Sequence, residues 1–187
     1  AYEIAQCLVG SEMCIRDSHA VTPINRVHNI HVAIPENAEY EAGFYRWTER
    51  IARMGENTGR RIFYHGHAKT LSLIQAYLQR YHTSVLYEMQ ETDGGNELKR
   101  LSTELQPDDL MVIIMARHGS VSFRPSLEHV PHQINAYYTD KNFILLFPDS
   151  YAPASPELTF VELHGTRGTY EKKKGWLDFL WKKEEQN

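Results

Sequence analysis

The sequence predicts an α/β protein, a doubly wound parallel sheet of about five strands with helices on both faces. Two observations predict this class. Short apolar runs of strand length alternate along the chain with segments whose apolar residues repeat at helical spacing. Residues 110–116 form a continuous apolar run, which is typical of a central strand covered on both faces.

The first half of the chain supplies three strands and two helices. Residues 27–34 have strand length, and Pro35 ends that strand. Residues 40–54 carry apolar side chains at helical spacing, and we expect the glycines at positions 55 and 59 to end the helix. The remaining elements of this half are a strand over 61–65, a helix over 68–81 and a strand over 85–89.

The second half repeats the alternation. A turn at 92–95 precedes a short helix through Leu98, Leu101 and Leu105. The apolar run over 110–116 is the fourth strand. The last two elements are a helix over 125–138, with a proline acceptable in its first turn, and a strand over 143–147 that ends before Pro148.

Five such strands joined by right-handed crossovers predict the flavodoxin-like order 3-2-1-4-5. The order reverses between the first and fourth strands. Ligands of such sheets bind beyond the carboxyl ends of the strands at this switch point. We therefore expect the loops over 35–43 and 117–124 to meet there and to form the candidate site.

The candidate ligand-binding residues are mostly in the second loop. Arg117 supplies a cation, Gly119 a flexible backbone, and Ser120 and Ser122 two hydroxyls; Asn37 in the first loop is included with them. This chemistry suits phosphate or another anion. The alternative is structural: Gly119 makes a turn while the two serines cap the next helix.

Composition excludes several classes. The 187 residues carry a formal net charge of −4, which gives no argument for nucleic-acid binding. No apolar run approaches the roughly 18 residues of a membrane-spanning helix. There is no phosphate-binding P-loop, no His-Glu-x-x-His motif and no nucleophile elbow, so neither catalysis nor catalytic residues are expected.

Ten histidines raise the question of a metal site. Three pairs lie close in sequence: His28 and His31, His65 and His67, and His129 and His132. The first pair points to opposite faces of a strand, whereas each of the others could share a face. Without cysteine ligands or a dense carboxylate partner, no metal is expected.

Residues 8–18 read Leu-Val-Gly-Ser-Glu-Met-Cys-Ile-Arg-Asp-Ser, which resembles one translated frame of a common sequencing adapter. We therefore predict that residues 1–18 are disordered and foreign to the fold, and that the genuine sequence begins near His19. The alternative is a short natural N-terminus. Both cysteines, Cys7 and Cys14, lie in this segment, so no disulfide is expected elsewhere.

Two later segments carry a family resemblance. Residues 109–131 contain Ala-Arg-His-Gly-Ser-Val-Ser, and residues 142–149 read Asn-Phe-Ile-Leu-Leu-Phe-Pro-Asp. Both resemble the C-terminal cytosolic region of bacterial monovalent cation/proton antiporters. Residues 34–47 look like the first strand-to-helix passage of the same region. The resemblance covers residues 25–150.

In that family, which includes sodium/proton exchangers, a transmembrane transport domain is followed by domains similar to universal stress proteins. The resemblance implies a universal-stress-protein-like domain at the cytoplasmic face of the bacterial membrane. It implies a regulatory or assembly role without catalysis. It also implies the transmembrane domain of the same antiporter, and a second copy of the domain, as partners.

Nucleotide-binding universal stress proteins have a glycine pattern after the fourth strand and an acidic residue after the first. Here Gly119 is the only glycine of that pattern, Ser122 stands in place of the second, and Pro35 follows the first strand. No nucleotide cofactor is therefore expected. The alternative function is a free-standing universal-stress-type domain that binds a nucleotide.

The domain is expected to span residues 19–151, and the chain changes character over 152–187. A Pro/Ala linker precedes residues 158–163, which alternate like an additional edge strand. The segment 171–187 has lysines at both ends and an apolar stripe of Trp176, Leu177, Leu180 and Trp181. This pattern predicts an interfacial membrane helix. The alternative is an amphipathic helix that packs on this domain or on a partner.

Overall fold

The computed structural model describes residues 14–92 and 97–149, which belong to the unit Ala1–Tyr151. The chain divides into two units after Tyr151, and the second unit is Ala152–Asn187. The predicted linker, edge strand and C-terminal helix, including Trp176, Leu177, Leu180 and Trp181, lie outside the described residues. Within the described ranges, no helix has the length and apolar character needed to cross a bilayer.

The described chain forms six strands and four α-helices. The strands are β1 (Cys14–His19), β2 (Asn29–Ala33), β3 (Arg61–Gly66), β4 (Tyr87–Glu91), β5 (Leu110–Ile114) and β6 (Asn142–Phe147). The helices are α1 (Phe44–Thr58), α2 (Ala68–Tyr81), α3 (Glu97–Glu104) and α4 (Val130–Tyr137). Short 3-10 turns occur at Ile24–Arg26, Ala38–Tyr40 and Pro125–His129.

One mostly parallel sheet contains all six strands in the order β1-β6-β5-β2-β3-β4. The α/β class is therefore confirmed, whereas the count of about five strands and the order for the whole sheet differ from the prediction. The difference is the additional strand β1, which pairs antiparallel with β6 at the edge. The other five strands are parallel, and numbered among themselves they lie in the order 3-2-1-4-5.

Strand β1 corrects the prediction that residues 1–18 are disordered, because residues 14–18 belong to it. Residues 1–13 lie outside the described residues. Without β1, β6 would be an edge strand with unpaired backbone N–H and C=O groups. A segment can pair with β6 through its backbone groups largely independently of its side chains. The register is irregular between Ile15 and Asp17.

Helix α1 begins and ends later than predicted. It runs through Gly55 and stops at Gly59, whose φ of 65° is left-handed and suits the C-terminal cap. Gly55 lies inside the helix because the helix packs closely on β3 there. A Cβ atom at this position would lie 2.5 Å from Cδ1 of Ile62. The glycine permits close helix-to-sheet contact and does not end the helix.

Each face of the sheet is covered by one pair of helices. Helices α1 and α2 bury an apolar face that includes Val32, Tyr64, Val112, Trp47 and Ile74. Helices α3 and α4 cover the other face, where Ala33, Met111, Phe143, Leu101 and Ile134 pack together. All residues of β5 and β6 are buried, as the apolar run over 110–116 predicts.

Candidate functional site

The two loops at the switch point meet, as the strand order predicts. Both the backbone N–H and the hydroxyl of Ser122 donate hydrogen bonds of 2.8 Å to Oε1 of Glu41. A second link joins Arg124 to Glu36, with 3.8 Å between Nη2 and Oε2. Glu41 follows β2, and Ser122 follows β5, so these contacts close the crevice between the two central strands.

Gly119 and Ser120 form a tight turn. The backbone N–H of Ser120 donates to the carbonyl oxygen of Arg117 at 3.0 Å, and its hydroxyl donates to the same oxygen at 2.8 Å. The hydroxyl oxygen also accepts from the N–H of Arg117 at 3.2 Å. Gly119 has a φ of 88°, which favours glycine. The turn predicted at Gly119 is therefore present, and Ser120 closes it.

Helix capping by the two serines is wrong. Arg124 precedes the 3-10 turn Pro125–His129, and no side chain caps that turn. Ser122 is buried, and its donors bind Glu41. The carboxylate of Glu41 thus accepts from the two donors of Ser122 that an external anion would need.

Arg117 and Asn37 have different surroundings in the two loops. The Nη1 atom of Arg117 donates to the carbonyl oxygen of Pro148 at 3.1 Å, which ties the loop to the end of β6. Asn37 has a left-handed φ of 63° and begins the 3-10 turn Ala38–Tyr40, with no capping bond from its side chain. Asn37 is not among the residues that line the pocket at the switch point.

What the loop contacts leave of the crevice is a small pocket. It has room for about one water molecule. Its polar lining consists of Glu41, Arg117, Ser120, Ser122 and Asp149. Sites for small molecules and cofactors usually have about 300–1,000 Å³. The crevice as it stands is too small for a nucleotide.

Sequence reasoning missed Glu41 in this pocket, and it also missed Asp149. Asp149 is buried, and its Oδ2 accepts from Nη1 of Arg46 at 2.9 Å. A Cβ at Gly43 would lie 2.7 Å from the backbone nitrogen of Asp149, so the glycine allows α1 to begin against the end of β6. The position of Asp149 directly after a strand and a proline was the signal available in the sequence.

Charge in the pocket is balanced. The pocket lining carries the carboxylates of Glu41 and Asp149 and the guanidinium group of Arg117, and Asp149 is also paired with Arg46. An incoming anion would meet the two acids as well as the arginines. The arrangement therefore holds loops together more readily than it attracts phosphate.

The histidine pairs do not assemble a metal site. His65 is fully buried while His67 is exposed, and both His129 and His132 are exposed. In the part of the chain that the structure describes, no three side chains of His, Cys, Asp or Glu are grouped so as to hold a metal ion. His65 instead contacts His31, with 3.1 Å between its Nε2 and Nδ1 of His31. That pairing across strands was not predicted.

No protein-family model matches this chain, and no curated protein or solved structure is significantly similar to it.

Proposed function

We propose that the chain is a cytosolic regulatory or assembly domain of a bacterial cation/proton antiporter, with no catalysis of its own. The resemblance of residues 25–150 to the C-terminal region of these transporters supports the proposal. The five parallel strands in the order 3-2-1-4-5 suit a flavodoxin-like, universal-stress-protein-like domain. Its partners would be the transmembrane domain of the same antiporter and a second copy of the domain, at the cytoplasmic face of the membrane.

The observation that carries the proposal is the closed switch point. In this fold the crevice at the reversal of strand order is the usual ligand site. Here Glu41 occupies both donors of Ser122, and Arg117 binds the carbonyl oxygen of Pro148. A domain whose ligand crevice is closed by its own loops suits a structural or regulatory role better than nucleotide binding.

The serine hydroxyls at the switch point also support a role without catalysis. The hydroxyl of Ser120 donates to the carbonyl oxygen of Arg117, and that of Ser122 donates to Glu41. Neither of these bonds goes to an imidazole, the usual base beside a nucleophilic serine. Both hydroxyls hold the loop instead.

Calorimetry with ATP tests the closed switch point. We expect no heat of binding at micromolar ATP for the parent chain. Glu41→Gln should not create such binding, because the amide oxygen still accepts from Ser122. Micromolar ATP binding that Arg117→Ala weakens by roughly 1.5–3 kcal/mol would contradict the proposal and favour the free-standing nucleotide-binding alternative.

The genomic reading frame upstream of the codon for His19 tests the transporter context. We expect it to encode several apolar helices of membrane-spanning length. A start codon close to His19, with no such helices before it, would contradict the antiporter assignment. This outcome is independent of the calorimetry, so the two parts of the proposal can fail separately.

A further inference from the structure

Three polar side chains from adjacent strands form a chain on the sheet face that α3 covers. Asp109 directly precedes β5, His31 lies in β2 and His65 in β3. The distance from Nδ1 of His31 to Nε2 of His65 is 3.1 Å. The distance from Nε2 of His31 to Oδ2 of Asp109 is 3.6 Å. The two rings also stack, with 5.3 Å between their centroids.

The row of polar side chains Asp109–His31–His65 is buried, and the carboxylate of Asp109 is held in place. His65 has no exposed surface, and the side chains of His31 and Asp109 are 13% and 3% exposed. Both the backbone nitrogen and Nδ2 of Asn29 donate to Oδ1 of Asp109 at 3.1 Å. The backbone nitrogen of Gln106 donates to Oδ2 at 2.9 Å. Burial opposes ionisation of Asp109, but His31, Gln106 and Asn29 outweigh it and lower its pKa.

A count of protons shows how many charges this geometry accepts. The contact between His31 and His65 needs one N–H donor and one lone pair. A doubly protonated His31 satisfies it, since that ring donates to His65 and faces the carboxylate of Asp109. A second imidazolium would set N–H against N–H across 3.1 Å. The arrangement therefore holds at most one positively charged ring.

The surroundings of His65 also disfavour a second charge. Burial, and then repulsion from His31 and Arg100, lower the pKa of His65 to about 3. Arg100 belongs to α3 and has the same sign as a second imidazolium. Opposite His65 in β4 stands Gln90, which is uncharged. Glu97 is the first residue of α3. Burial raises the pKa of its carboxyl group, although the hydrogen bond from Thr92 and the charge of Arg100 act in the opposite direction.

We propose that the Asp109–His31–His65 chain is an acid-sensitive latch, in which a second proton breaks the contact between the two histidines and releases α3 from the sheet. Helix α3 is close to this contact, since its Arg100 repels a positive charge on His65. It has eight residues, and its Leu98 and Leu101 pack in the cluster that contains Ala33. Ala33 is the register partner of His65 in the sheet. The inference does not depend on the proposed transporter context.

Amide hydrogen exchange of the full chain, followed by mass spectrometry between pH 7.5 and 5, tests the latch. After correction for intrinsic exchange, the opening of α3 should rise about tenfold for each pH unit below 6.5, reaching about thirtyfold at pH 5. Helix α1, on the opposite face, should remain more protected than α3 at every pH, because its exchange requires unfolding of the whole domain. His65→Gln keeps a hydrogen-bonding partner for His31 without a titrating ring, so its α3 should open independently of pH.

His67→Gln is the matched control, because His67 is exposed and only two residues away; it should retain the acid response of the parent. An opening of α3 that changes less than twofold over the range would overturn the proposal. An undiminished acid response in His65→Gln would do the same.

Nitrogen-15 spectra of the imidazole rings of the parent chain decide the question without a variant. We expect no more than one imidazolium in the pair until α3 opens. Two charged rings in a protein whose α3 remains protected would overturn the latch. Because the spectra need no substitution, they apply even where His65→Gln fails to fold.

Discussion

Two buried histidines, His65 and His82, meet opposite surroundings. His82 follows the end of α2, and its Nε2 contacts Oε2 of Glu49. Its Nδ1 lies 3.1 Å from Oε2 of Glu56, although without hydrogen-bond alignment. Each of the two carboxylates is about a quarter exposed. A positive ring at this position has two counterions, and water reaches both of them.

His65 has another imidazole as its neighbour and no contact with solvent. Both histidines are nearly inaccessible, so burial alone does not separate them. The charge of the neighbouring group does: carboxylates favour a cation, and a second imidazole within 3.1 Å disfavours it. An acid-sensitive site therefore requires a buried histidine whose partner cannot compensate the charge of an added proton.

The largest expected effect is acid destabilisation through His65. Its pKa lies near 3 in the fold and near 6.5 in the unfolded chain, so the unfolded state binds more protons between these values. Stability is therefore full above pH 6.5 and is lost as the pH falls toward 3. At pH 5 the free energy of unfolding should be about 2 kcal/mol lower than at pH 7.5. Urea denaturation at both pH values measures it, and an equal loss in His65→Gln would contradict the assignment.

Removing one acid from each histidine site sharpens the comparison. Asp109→Asn should lower the free energy of unfolding by between about 1 and 2 kcal/mol at pH 7. The new amide cannot accept from Asn29 and Gln106 at both of its atoms, and the site is buried. Thermal or urea denaturation at pH 7 gives the value. No measurable change would show that the carboxylate does not hold the chain of polar groups.

Glu49→Gln should cost less, on the order of 0.5–1 kcal/mol at pH 7, because Glu49 is partly exposed and Glu56 remains beside His82. Burial opposes ionisation of Glu49, but hydrogen bonds from Tyr77 and His82 and the charge of Arg53 lower its pKa. This contribution is present above the ordinary pKa of 4.5 and is lost as the pH falls further. Parent and variant should therefore converge in acid denaturation curves; a constant difference down to pH 3 would refute this account.

The smallest effect is expected from deletion of residues 1–18, which lie far from both sites in sequence. A chain that begins at His19 loses most of β1 but keeps the N–H groups of Val21 and Thr22, which donate to Oδ1 of Asn142 at 2.8 Å. The melting temperature should change by less than about 2 °C, equivalent to less than about 0.5 kcal/mol. The acid response of α3 should be unchanged. A much larger fall would show that the segment is integral to the fold.

The local sequence pattern was sufficient to predict the helices and the parallel strands, and much of the order of the strands in the sheet. The apolar run over 110–116 predicts a strand covered on both faces, and β5 is one. The alternation of strands and helices leads to the relative order of the five parallel strands, because right-handed crossovers leave few alternatives. The same order predicts that the loops around Glu41 and Ser122 meet. Boundaries were less certain: Gly55 lies within α1 because Ile62 requires close contact there.

Periodicity and chain connectivity are properties of neighbouring residues, and they were enough to predict the α/β class, the amphipathic helices and the location of the switch point. The residues that fill that point, and the polar groups that meet across the sheet, follow from the three-dimensional packing. Glu41 and Ser122 are 81 positions apart, and His31 and His65 are 34 apart. Such contacts depend on the register of paired strands and on the path of loops, and neither is encoded in local periodicity.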